Sequence, residues 1–265
     1  MELNLRNKTA LVTGGSKGIG LAIATALAKE GVRVAVGARG TTPELKELMN
    51  EYDVEHFAVD LADPRGPERL VTAVAASYGS LDLLVNNVGA SEPASTSLDF
   101  TDEQWQRLFE VNFFGVVRTV RAAAPLLAAG KDAAVVNIAS LNARLPQGMI
   151  APYSAAKAAL VNFGKAVSEE LAPQGVRVNS ILPGPVRTPL WTDPGGFAHL
   201  LGEQAGISAE DVMDRMLPES MNISLGRVAE PEEIADLVLF LCSPRSSYVT
   251  GAEYVIGGGM LKSTA

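Results

Sequence analysis

The sequence predicts an α/β fold, a doubly wound parallel sheet of seven strands covered by helices on both faces. Three observations carry this. Short β-branched runs alternate with longer helical stretches along the whole chain. Several of the runs are almost wholly apolar, as strands buried on both faces must be. The first run leads directly into a glycine-rich turn that opens a helix.

Taken in order, the strands are expected at TALVTG (9–14), RVAVGA (33–38), EHFAVD (55–60), LDLLVNN (81–87), AAVVNIAS (133–140), RVNSIL (177–182) and AEYVIG (252–257). The helices between them announce their starts. Thr42 followed by Pro43 fits an N-cap with proline at the first helical position. TDEQ (101–104) fits a capping box. Pro231 with Glu232 and Glu233 opens a late helix with the charge its dipole favours. Strand, helix and strand repeated in this way require right-handed crossovers. No repeat, low-complexity tract or linker interrupts the series, so residues 1–265 are expected to form a single domain. Residues 188–226 break the rhythm with prolines, glycines and short helical fragments. An irregular stretch of that length inside one domain is expected to be a substrate lid, the alternative being a hairpin packed on the sheet edge.

Composition narrows the possible functions. With 265 residues, 47% hydrophobic and 20% charged, the chain can bury a substantial core. A formal net charge of −8 argues against binding a phosphate backbone. No run of about 18 apolar residues is seen, so no transmembrane helix is expected, and the first residues lack the features of a signal peptide. Cys242 is the single cysteine, and His56 and His199 are the two histidines, each without a ligand cluster nearby. A cytoplasmic protein without a metal, a membrane or a nucleic acid as partner is expected.

Two motifs carry chemistry. In TGGSKGIG (13–20), Gly14, Gly18 and Gly20 let the backbone turn tightly, approach a pyrophosphate and pack the next helix against the sheet. The helix start presents free N–H groups and a positive dipole end to phosphate, with Ser16, Lys17 and Ile19 among the expected contacts. In APYSAAKAAL (151–160), Tyr153 and Lys157 stand four residues apart and share a helix face. A free tyrosine has a pKa of about 10, and a nearby ammonium is expected to lower it towards neutrality. Taken alone, the pair also fits a packed tyrosine beside a solvated lysine.

The glycine spacing together with YSAAK resembles the short-chain dehydrogenase/reductase family, of the type of the β-ketoacyl reductases. The resemblance extends over essentially the whole chain: NNVG (86–89), VNFFG (111–115), NIAS (137–140), LPGPVRT (182–188) and GRVAEPEEIA (226–235) stand in the family's order. It implies a Rossmann-like sheet and reversible hydride transfer between a nicotinamide and a ketone or secondary alcohol. Asn112, Ser140, Tyr153 and Lys157 are then the catalytic group. Tyr153 donates the proton in reduction, Lys157 binds the nicotinamide ribose and reprotonates the tyrosine, and Ser140 holds the carbonyl. Asn112 shapes its helix around a relay water. By the same resemblance, Asp60 and Leu61 flank the adenine, and Asn87 and Gly89 lie along the adenosine ribose. Pro183 and Gly184 join the cofactor contacts, and Thr188 with the Val186 backbone holds the carboxamide.

An enzyme preferring NAD places an acid after the second strand. Here Ala38 and Arg39 stand there, with Lys17 as a second cation, so NADP(H) is expected over NAD(H). Arg144, Leu145, Met149 and Trp191 are the expected substrate contacts for an apolar, bulky ketone, Arg144 being alternatively a handle for an acidic group. A β-ketoacyl thioester remains an alternative substrate, and an NADP(H) sensor without turnover an alternative function. Relatives that reduce carbon–carbon double bonds space the tyrosine and lysine further apart. The family implies a homotetramer, with a dimer as the alternative. Val88, Pro185 and Ile256 depart from the family's usual residues.

Overall fold

The computed structural model describes residues 2–263. The seven expected runs form β1 (Thr9–Thr13), β2 (Arg33–Ala38), β3 (Val54–Ala58), β4 (Leu83–Asn86), β5 (Ala134–Ile138), β6 (Arg177–Pro183) and β7 (Glu253–Ile256). They pair in parallel as one sheet in the order β3-β2-β1-β4-β5-β6-β7. Successive residues of β1 explain the unbroken apolar runs. Leu11 packs into the core on one face of the sheet, and Ala10 and Val12 into the core on the other.

The helices are α1 (Gly18–Lys29), α2 (Pro43–Glu51), α3 (Gly66–Tyr78), α4 (Asp102–Phe109), α5 (Gly115–Ala129) and α6 (Ala151–Leu171), then α7 (Pro189–Thr192), α8 (Phe197–Ala205), α9 (Ala209–Asp211), α10 (Leu217–Ser220) and α11 (Pro231–Cys242). α1 and α11 pack together and cover one face, burying Ile23, Leu27, Ile234 and Val238. On the other face α3, α5 and α6 bury Val74, Val120 and Leu160. The expected starts are present. Thr42 accepts from the Leu45 N–H at 3.2 Å, Thr101 and Gln104 form a capping box, and so do Glu230 and Glu233. A wide π turn (Glu110–Phe114) joins α4 to α5. The combined helix Asp102–Ala129 is long and apolar enough to cross a membrane, which corrects the expectation that no such helix occurs. Val116, Val120, Ala123 and Leu127 on it pack into the core shared with α3 and α6.

Residues 188–226 hold α7 to α10 and a second π turn (Val212–Met216). They bury Ala198, Val212, Met213, Leu217 and Ile223 in a small core of their own, beside the sheet cores.

Arg177, at the start of β6, is buried and anchors the end of α11. Its guanidinium donates to Leu241 O at 2.7 Å, Ser246 Oγ at 2.8 Å and Ser243 O at 3.2 Å. These bonds satisfy carbonyls that a helix end leaves open. Arg177→Met removes the charge and orphans the buried carbonyls together. A stability loss of about 3 kcal/mol is expected, read as a lower urea midpoint at unchanged slope.

Candidate active site

The strand order reverses between β1 and β4, so the connections leaving their carboxyl ends diverge and open a crevice. A cavity of about 610 Å³ fills it. One end is built by the turn from β1 into α1. Gly18 takes a left-handed φ of 56°. A Cβ on Gly20 would lie 2.3 Å from Gly14 O and 2.4 Å from Asn87 Nδ2, so only glycine fits there. Asn87 ties this turn to β4: its Nδ2 donates to Thr13 O and Gly14 O, both at 3.1 Å. Thr42 Oγ1 donates to Ser16 O at 2.9 Å and holds the turn from the other side. No side chain caps the N-terminus of α1, leaving its first N–H groups towards the cavity.

Gly14, Ser16, Lys17, Gly18, Ile19, Gly20, Arg39, Asp60, Leu61, Asn87 and Gly89 all line this cavity. Arg39 is exposed and makes no ion pair among the described residues. Lys17 reaches across to Asp193, just after α7, at 3.4 Å. Both partners of that pair are more than half exposed, so it contributes little to stability.

Ser140, Tyr153 and Lys157 line the same cavity, with Pro183, Gly184, Val186 and Thr188. Ser140 ends the β5 connection and caps a short turn, accepting from the Asn142 N–H at 3.1 Å. Lys157 is buried, and its Nζ donates to Ile138 O at 3.0 Å. It lies 5.7 Å from the centre of the Tyr153 ring. A Cβ on Gly89 would stand 3.4 Å from Lys157 Nζ, so the chain passes close over the ammonium there. Burial pulls the Lys157 ammonium down to about 8. Burial also raises the Tyr153 phenol above its ordinary value, against a smaller opposing effect of its hydrogen bond with the Ser140 hydroxyl. The expectation that the lysine lowers the tyrosine is therefore corrected. In this pocket the loss of hydration outweighs the hydrogen bond with Ser140.

Two further expectations change, those for Arg144 and Leu145, while Asn112 keeps a role in shaping its helix. Asn112 is fully buried behind the cavity wall rather than on it. Its amide is consumed by backbone: Nδ2 donates to Ala90 O at 2.8 Å and Leu108 O at 2.9 Å, and Oδ1 accepts from the Ala90 N–H at 3.2 Å. It is a positioning residue that fastens the π turn to the loop after β4. Arg144 points away from the cavity and pairs with Glu253 on β7. Leu145 is also off the wall, its carbonyl accepting from Asn142 Nδ2 at 3.1 Å. Met149 and Trp191 do line the cavity.

Leu190, Phe197, Leu201 and Met221 of the remaining wall lie in the 188–226 segment expected as a lid, and the rest was missed. Ile150, Leu190, Phe197, Leu201, Met221 and Met260 form an apolar side with Met149 and Trp191. Ser91 and the Glu92–Arg107 pair, joined at 2.6 Å, form part of a polar side. Ser91 follows NNVG closely enough to have been found; Met260 carries no local signal.

Asn112→Ala orphans the polar backbone of Ala90 inside the protein. A loss of about 2–3 kcal/mol is expected, with kcat falling more than the affinity for dinucleotide. Paired urea titrations and steady-state kinetics measure both.

A family model described as Enoyl-(Acyl carrier protein) reductase matches residues 14–261. A putative ketoacyl reductase of Streptomyces coelicolor is 37% identical over 96% of this chain and 97% of its own length. Dehydrogenase/reductase SDR family member 4 of Homo sapiens is 32% identical over 96% of this chain and 88% of its own length. Among solved structures, L-sorbose reductase from Gluconobacter frateurii, complexed with NADPH and L-sorbose, superposes with a TM-score of 0.92. It is 35% identical, with 99% of this chain and 100% of that one covered.

Proposed function

The chain belongs to the short-chain dehydrogenase/reductase family, an oxidoreductase of that type, and from this premise we propose that it is an NADP(H)-dependent reductase of apolar, bulky ketones. The observation that carries the reading is the meeting of Ser140, Tyr153 and Lys157 with the glycine turn and Arg39 along one cavity.

The residues present fit the dinucleotide. The uncapped start of α1 and the glycine positions without room for a side chain suit a pyrophosphate. Arg39 and Lys17, with no acid at the end of β2, suit a 2′-phosphate. Bound there, the cofactor supplies the hydride. Asp60, Leu61, Asn87 and Gly89 border its adenosine half, and Pro183, Gly184, Val186 and Thr188 its nicotinamide half.

The protein's own part is to place and move a proton. Ser140 holds the substrate oxygen by hydrogen bond as negative charge gathers there. Tyr153, a phenol at neutral pH, donates to that oxygen. Lys157 keeps its hydrogen bond to Ile138 O and has further protons available for a ribose and for returning a proton to the tyrosine. Residues 188–226 act as the lid of a single catalytic domain, contributing Trp191, Phe197, Leu201 and Met221 to the apolar wall.

Steady-state oxidation of NADPH and NADH against ketones from β-ketoesters to cyclic aromatic ketones tests this reading. A β-ketoacyl thioester belongs in the panel as the second reading, favoured by the ketoacyl-reductase relative, and an enoyl thioester as the chemistry that the four-residue spacing of Tyr153 and Lys157 disfavours. Tight NADPH binding with no turnover of any of them would put an NADP(H) sensor in its place. Arg39→Asp is expected to lower kcat/KM for NADPH by about 10–100-fold and to improve NADH. An unchanged ratio between the two cofactors would remove Arg39 from the 2′-phosphate site.

We further propose a cytoplasmic homotetramer, a dimer being the alternative. Phe109, Phe113, Phe114 and Phe163 form a continuous aromatic cluster over the π turn and α6, with Phe114 40% exposed. β7 leaves one edge unpaired, with Val255 exposed. Light scattering on the parent chain and on Phe114→Lys measures the assembly.

A further inference from the structure

The last described residues turn back onto the cavity. Gly257 follows β7 and lies against Leu141, the neighbour of Ser140: a Cβ there would stand 3.0 Å from Leu141 Cδ2. The chain then reverses through Gly258 and Gly259, both left-handed at φ 58° and 80°. A Cβ would lie 2.7 Å from Ile223 Cγ2 at the first and 2.7 Å from Ser224 Oγ at the second, so neither position admits a side chain without movement.

This turn is fastened to the end of the 188–226 segment. The Leu225 N–H donates to Gly258 O at 3.0 Å, and Ser224 Oγ donates to Gly259 O at 3.3 Å. The Lys262 ammonium closes the strap, donating to Ser224 Oγ at 2.7 Å and Gly259 O at 2.6 Å. Met260 is thereby packed against the small core of that segment, as are Trp191, Leu201 and Met221. The same four side chains share the cavity wall.

We infer that Met260 sets how bulky an apolar substituent the ketone site accepts, which makes the C-terminal turn part of the substrate specificity. The inference rests on the ketone-reductase reading above. A methionine in such a wall fills an irregular gap with a flexible chain. Shortening it to alanine enlarges the apolar side of the cavity, and a tryptophan there fills it. The hydrogen bonds of the strap come from backbone, Ser224 and Lys262, so they persist in either variant.

The test compares kcat/KM for 2-acetonaphthone and ethyl acetoacetate with NADPH in the parent chain, Met260→Ala, Met260→Trp and Met260→Leu. The bulky-to-small ratio is expected to rise about tenfold or more in the alanine variant and to fall by a similar factor in the tryptophan variant, with NADPH affinity held within about twofold. The leucine variant should restore the parent ratio, and it carries the test with tryptophan if the alanine variant does not fold. A ratio that stays at the parent value in the alanine and tryptophan variants, or moves the same way in both, overturns the inference while leaving the reductase reading intact. Absence of ketone turnover in the parent chain overturns both.

Discussion

Tyr153→Phe is expected to lower kcat for ketone reduction by about 10²–10⁴-fold while the protein still folds and binds NADPH, because one hydroxyl is both the proton donor and dispensable to the core. The tyrosine ring packs at the start of α6, and phenylalanine preserves that packing. Removing the oxygen takes away the phenolic proton that the proposed reduction uses. Ser140 remains to polarise the carbonyl, so residual activity should depend on Ser140→Ala. Stopped-flow NADPH oxidation with fluorescence titration of NADPH separates the two effects. A variant that keeps parent turnover would assign the proton to another group.

Lys157→Met is expected to abolish turnover and yet raise stability at neutral pH. The ammonium titrates near 10.5 when free and at about 8 in the folded chain, displaced by burial. Between those values the unfolded chain holds a proton that the folded chain has released, so stability rises with pH across the window. Below about 8 both states are charged, and the full cost of burying the ammonium is present, about 3 kcal/mol. Methionine removes that cost but leaves Ile138 O without its donor, a loss of about 1–2 kcal/mol. A net gain of about 1–2 kcal/mol at pH 7 follows, and it should vanish or reverse near pH 10.5. Urea midpoints at both pH values measure it. A methionine variant less stable than the parent at pH 7 would show that the buried ammonium is not a burden on the fold. In the parent chain, turnover should fall as pH rises through about 8 and the ammonium is lost.

On the proposed mechanism, stability and catalysis are expected to oppose each other at this one side chain. The fold tolerates the buried lysine because the surrounding sheet and helices hold it beside Tyr153, and substitution by an apolar residue relieves the fold at the expense of the chemistry.

Much of this was legible in the residues alone. The seven strands, the caps at Thr42 and Thr101, the glycine turn and the shared face of Tyr153 and Lys157 all follow from short-range rules: alternation across a sheet, periodicity along a helix, and the space around a Cα. Those rules act within a few residues and need no knowledge of where the chain goes next. What tertiary structure decided lies where distant segments meet. Arg144 was read as facing a substrate, but β7 brings Glu253 to it. Asn112 was read as shaping its helix, and it is the loop after β4 that presents Ala90 to its amide and encloses it. The shift of Tyr153 was expected downward from its neighbour's charge; its direction is set by how much water the assembled walls exclude, which no local spacing encodes. Met260 joins Trp191 because two glycines and a strap of hydrogen bonds return the chain end to the cavity. The sequence by itself determined which groups can do the chemistry. Burial and long-range contact, which exist only once the chain has closed on itself, decided which of them face the cavity and in what protonation state.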